Sequence, residues 1–99
     1  MDPQVQDHRP SVELLESHHI FPGVFRIKVI GNVADDFEGR ALAAVHQEVS
    51  GVSEVDHSIR NTVSGRHISL TLDINVQTAE QVRAIYGRLQ EVQGLKLLL

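Results

Sequence analysis

Cysteine and tryptophan are both missing from this sequence of 99 residues. Without cysteine there is no disulfide framework, no thiolate nucleophile and no Cys-ligated zinc or iron–sulfur site. Long apolar runs are missing too: nothing approaches the ~18 residues of a membrane-spanning helix. The opening Met1-Asp2-Pro3-Gln4 lacks the basic flank and apolar stretch of a signal peptide. The expectation is a soluble, cytoplasmic protein of one domain. A chain of this length buries roughly 60–70% of its unfolded surface, so one modest core must carry the fold.

Positive charge is in deficit, with nine Lys and Arg against thirteen Asp and Glu, a formal net charge of −4. Net acidity argues weakly against a nucleic-acid partner. The excess is uneven, however. Residues 1–19 hold Asp2, Asp7, Glu13 and Glu16 against Arg9 alone, which leaves the rest close to neutral. Pro3, Pro10 and a near-absence of apolar side chains mark the first ten residues as an arm that cannot offset its ordering entropy by burial. Residues 1–19 are therefore expected to form a flexible N-terminal arm, with a short helix at 11–16 capped by Ser11. Phe21-Pro22-Gly23 punctuates the start of a folded body at 20–99.

What is present is periodicity. Phe25, Ile27 and Val29 alternate with Arg26 and Lys28, the pattern of a half-buried strand. Asp35 with Glu38 three residues on reads as a capping box. It opens a helix striped by Phe37, Ala41, Ala44, Val45 and Val49 and ended by Gly51. Val55, Ile59 and Val63 then fall on odd positions, while Ile68, Leu70, Leu72, Ile74 and Val76 fall on even ones. A two-residue turn at Ser64-Gly65 pairs Val63 with Arg66, which brings both apolar sets to one side of the sheet. Thr78 and Gln81 open a second helix with stripe Val82, Ile85, Tyr86, Leu89 and Val92, and Leu95–Leu99 closes as a strand. The order β-α-β-β-α-β with right-handed crossovers predicts an α+β fold. It is a ferredoxin-like sandwich, one four-stranded antiparallel sheet with two helices on one face.

Helices on one face leave the other open, either polar or a binding surface. Alternation assigns to it Val24, Arg26, Lys28 and Ile30; Asp56, Ser58, Arg60 and Thr62; His67, Ser69, Thr71, Asp73 and Asn75; and Lys96 and Leu98. RNA-recognition motifs of this topology stack bases on outward aromatics. The outward central positions here are Arg26, Lys28, Ser69 and Thr71, so that requirement fails. Asp56 and Asp73 face each other across the predicted ladder. Either a cation lies between them or, the favoured reading, Arg26 or Lys28 on the neighbouring strand neutralises them, two oxygens being few for a metal.

Six histidines are scattered without i, i+4 or i, i+2 spacing, so no metal site is assigned. Gly31, Asn32, Val33 and Ala34, between first strand and first helix, form the candidate ligand loop, where free N–H groups and the helix dipole could receive an anion. Asp35 and Asp36 sit at that position and repel phosphate. No nucleophile has an activating base beside it, so no catalytic residue, enzyme activity or cofactor is assigned.

Several segments together resemble the YbeD-like family of small bacterial proteins. They are Glu13-Leu14-Leu15-Glu16, Phe21-Pro22, Phe25–Gly31, Gly65–Thr71, Ile74-Asn75, Glu80–Tyr86 and Leu97-Leu98-Leu99, spanning residues 13–99. The resemblance implies a ferredoxin-like domain of unknown function, similar to the amino-acid-binding ACT regulatory domains and connected with lipoate metabolism. Ser17 to Ile20 look inserted, His67 stands where the family tends to tyrosine, and Gly31–Ala34 lacks the Pro-Gly of an ACT ligand loop.

The reading that results is a non-enzymatic, ACT-like regulatory or interaction module. Its interaction surface is Val24, Arg26, Lys28, Ile30, Arg60, Lys96 and Leu98. The partner is an unidentified protein, a small ligand or a second copy, with neither a membrane nor a nucleic acid favoured. The alternatives are a sensor of amino acids or lipoate-related ligands at Gly31–Ala34 and, behind it, an RNA-binding or acylphosphatase-like protein.

Overall fold

In the computed structural model, which describes residues 7–61 and 64–99, the alternating stretch forms strand β1, Gly23–Asn32. It is central in a four-stranded antiparallel sheet of order β2-β3-β1-β4, with β2 at Val55–Asn61, β3 at His67–Val76 and β4 at Leu95–Leu98. Helices α2 (Phe37–His46) and α3 (Ala79–Gln90) make the two crossovers. This is the expected ferredoxin-like arrangement. Ile27 and Val29 of β1 and Leu70, Leu72 and Ile74 of β3 are fully buried, as are Phe37 and Val45 of α2 and Val82, Ile85 and Leu89 of α3. Each such side chain contributes about 1.5–3 kcal/mol relative to leaving it in water.

The hairpin register is the predicted one. Val55 pairs with Ile74, Asp56 with Asp73 and Asn61 with Ile68, and Gly65 adopts φ +73°, a backbone that glycine takes without steric cost. The pairing of Val63 with Arg66, and Thr62 beside it, lie outside the described residues. Ile59 points to the helix side opposite Leu70 but stays 41% exposed, because β2 is an edge strand.

Three expectations are corrected. First, α2 starts one residue later than the Asp35 cap. Both Asp35 and Asp36 take left-handed backbone (φ 60° and 52°), and Asp36 is the cap, accepting from the Gly39 N–H at 3.2 Å. A Cβ on Gly39 would come within 2.2 Å of the Asp36 carboxylate, so the cap depends on that glycine. The delay drops Phe37 into the core. The helix also ends early, at His46 rather than near Gly51: the N–H groups of Gln47 and Glu48 tighten onto Ala44 and Val45, and Val49 turns inward, buried.

Second, the lead-in is docked. Helix α1, Val12–His18, is capped by Ser11 as expected, but it packs on α3 and buries Leu15 in the core. Arg9 donates to the carbonyl of Arg83, and Arg83 donates to the carbonyl of Pro10 and pairs with Asp7. The absence of a side chain at Gly87 lets Arg9 lie against α3. A boundary at residue 20 therefore cuts through one core.

Third, β4 carries a bulge. Leu95 pairs with Gly31 but Leu97 with Ile30 and Leu98 with Val29, so Lys96 is an extra residue. Parity along β4 flips there. Leu98, expected on the open face, packs against the core, whereas Leu97 and Leu99 are exposed.

Candidate functional site

The open sheet face can be written as rows across the strands, because the register of every pair is known. From β2 to β4 one row reads Arg60, Ser69, Ile30, Leu97. The next reads Ser58, Thr71, Lys28 and Leu99, the last hydrogen-bonded to Lys28 through both backbone groups. A third reads Asp56, Asp73, Arg26, and the pairs Val24 with Asn75 and Asn32 with His67 lie at the two ends of the face. The face thus divides. Its β1–β4 half is apolar, with Val24 70%, Leu97 47% and Leu99 59% exposed around Lys28. Its β2–β3 half is hydroxyl-lined in the middle, with Arg60 toward one end and Asp56 and Asp73 toward the other.

Arg26 grips Asp73 with two bonds, Nε to Oδ1 at 2.8 Å and Nη2 to Oδ2 at 3.0 Å. The side-chain bond from the guanidinium holds the Asp73 carboxyl below its usual range and raises Arg26 in turn. That neutralises Asp73, as favoured from the sequence, whereas Asp56 across the ladder has no ion pair among the described residues. Among the described residues no cluster of three or more His, Asp or Glu could hold a metal ion. Lys28, Arg60 and Lys96 have no ion-pair partner among the described residues. Lys28 and Arg60 both line a cavity of about 290 Å³ with Ser58, Ile59, Ser69 and Thr71.

The four residues of the expected ligand loop are not brought together as a loop. Gly31 and Asn32 belong to β1, and Gly31 is buried against the Phe37 ring, where a Cβ would lie 2.3 Å from Cζ. Val33 is half exposed. Asn32 and Ala34 do line an open depression of about 380 Å³ with Asp35, Arg40, Gln93 and Gly94. Several of its donors are engaged, however. The N–H of Asn32 bonds the Gly94 carbonyl at 2.9 Å and that of Val33 the Arg66 carbonyl at 3.1 Å, while Arg40 bonds the carbonyls of Asp35 and Gln93.

Of the expected surface, Val24, Arg26, Lys28, Ile30 and Arg60 lie on the open face, and Lys96 is exposed at the bulge. Leu98 does not belong to it. Leu97 and Leu99 are what sequence reasoning missed. A run of Leu on both sides of Lys96 carries no parity, so nothing in it marks the bulge. The three Phe and the Tyr all sit elsewhere: Phe25 and Phe37 are buried, and Phe21 and Tyr86 pack beside the core.

Residues 16–99 match the family described as Protein of unknown function (DUF493). The chain is 32% identical to a UPF0250 protein of Shewanella piezotolerans over 89 residues, 88% of this chain and 92% of that one. It is also 32% identical to a UPF0250 protein of Shewanella woodyi over 87 residues, with the same coverage. The solution structure of protein HP0495 from H. pylori superposes with a TM-score of 0.63 at 15% identity, covering 95% of this chain and 98% of that one, a likeness of fold. The chain belongs to the DUF493 family, whose YbeD-like, UPF0250 members are small bacterial proteins of unknown function.

Proposed function

We propose that this protein is a non-enzymatic interaction module that docks a protein partner on its open sheet face. The observation that carries the reading is the apolar half formed by exposed Val24, Leu97 and Leu99 with partly exposed Ile30, flanked by Lys28 and Lys96, cations without an acidic partner among the described residues. Exposed apolar groups gathered on one face, rather than scattered singly, are the mark of a contact surface. Charge complementarity names the occupant: a surface of another protein with apolar residues rimmed by Asp and Glu. The face holds Arg26, Lys28 and Arg60 against two carboxylates, with Lys96 exposed at the bulge beside it. Two copies placed face to face would therefore set like charges together, which disfavours self-docking.

A catalytic role has less support. The hydroxyl of Thr71 neighbours Asp73, but both oxygens of that carboxylate are engaged by Arg26. Ligand sensing at Gly31–Ala34 is also the weaker reading, because the backbone N–H groups of Asn32 and Val33 are taken.

The test uses the purified chain to capture proteins from native lysate, alongside Leu97→Asp, Lys28→Glu and, on the helix side, Glu91→Lys. Docking on the face is supported if one protein binds the unmodified chain and Glu91→Lys but neither face variant. Capture that the face variants leave intact sinks it. Sedimentation showing a dimer that Leu97→Asp dissolves would replace the acidic partner with a second copy.

A further inference from the structure

The polar half of the same face has a shape of its own. Ser69 and Thr71 on β3 are short and form a floor. Lys28 rises from β1 on one side, and Ser58 with Arg60 from β2 on the other, around a cavity of about 290 Å³. Two like charges thus line one trough with no carboxylate paired to either among the described residues. An anion entering the trough would be attracted by both.

We infer that this trough, Lys28, Arg60, Ser58, Ser69 and Thr71, is a binding site for a small phosphate monoester. A carboxylate can be satisfied by the guanidinium fork of Arg60 alone, which would leave Lys28 across β3 unmatched. A phosphoryl group has three terminal oxygens to share among the fork, the ammonium and three hydroxyls. The surroundings define the rest of the ligand. Ile30 pairs with Ser69 at the trough's edge, and Leu97 pairs with Ile30, so an organic substituent meets an apolar wall. At the other end Asp56 follows Ser58 on the same face of β2, beside the Arg26–Asp73 pair. An RNA backbone or an anionic lipid surface would have to lay further phosphates over that carboxylate. A compact monoester avoids it. The site stands on the trough alone and does not depend on the docking of a protein partner.

Backbone amide shifts of the full-length chain decide the matter, measured at low ionic strength with inorganic phosphate, phenyl phosphate and benzoate, each up to roughly 10 mM. Saturable shifts are expected at Lys28, Ser58–Arg60 and Ser69–Thr71, with phenyl phosphate tighter than phosphate and benzoate weakest. Lys28→Ala and Arg60→Ala, both exposed positions, should each weaken binding about tenfold. Lys96→Ala, a cation outside the trough, should leave it unchanged. No saturable shift at these amides, equal binding of benzoate, or equal loss in Lys96→Ala overturns the assignment. So does binding that occurs only with a phosphopeptide, anionic vesicles or single-stranded RNA.

Discussion

Gly31 and Phe37 show how one missing Cβ positions a whole crossover. Phe37 is fully buried, its ring lies over Gly31, and the Arg40 guanidinium covers the ring 5.8 Å from its centroid. Gly31→Ala should therefore force the ring out of place and cost about 1–3 kcal/mol, as overpacking does. Urea unfolding midpoints would report it, and an unchanged midpoint would show that the ring moves freely. Asp73 allows a test by pH. Its folded-state pKa is depressed, so the stability it contributes is present above the unfolded value and is lost as pH falls through the lower folded value. Asp73→Asn should be less stable than the unmodified chain near neutrality, and the gap should close in acid, as pH falls below the ordinary aspartate range. A gap independent of pH would mean that the carboxylate charge contributes nothing.

At the scale of elements the informative strand is β4. Its bulge at Lys96 sends Leu98 to the core and Leu97 and Leu99 to the open face. Leu98→Ala should destabilise the protein by about 1–3 kcal/mol, given partial burial, whereas Leu97→Ala should stay within about 0.5 kcal/mol. Equal costs measured by denaturation would contradict the bulge. Capping differs between the two crossovers for a local reason. Thr78 accepts from the Gln81 N–H at 3.1 Å, and the Gln81 side chain reaches back to the N–H of Gln77 and on to the carbonyl of Glu48. At α2 the left-handed pair Asp35-Asp36 moves the cap one residue along and leaves Gly39, not Glu38, as the partner.

For the molecule as a whole, the sheet face and the lead-in matter most. Three of the four net negative charges fall in residues 1–19, and the open face carries an excess of cations, so the overall acidity says little about what that face binds. Docking of α1 makes Leu15 part of the core. A chain beginning at residue 20 should accordingly lose stability relative to the full chain, by about 2–5 kcal/mol if removing Leu15 costs what a buried Leu→Ala change does. Thermal unfolding of the two lengths would check this, and equal midpoints would restore the boundary at residue 20.

The order of elements, the hairpin register and most of the buried set were legible in the residues, because alternation and helical spacing are local properties that Phe25–Val29, Ile68–Val76 and Val82–Leu89 state without ambiguity. Alternation also placed Arg26, Lys28, Ile30 and Arg60 on one face. Three things were decided only in three dimensions. Leu15 is buried because α3 offers a surface for a helix whose own pattern is too short to announce it. Leu97 and Leu98 exchange faces because a bulge in β4 answers to its partner β1, and a run of leucines cannot signal parity. Lys28 and Arg60, 32 residues apart in the chain, come to line one trough only when β3 lies between them.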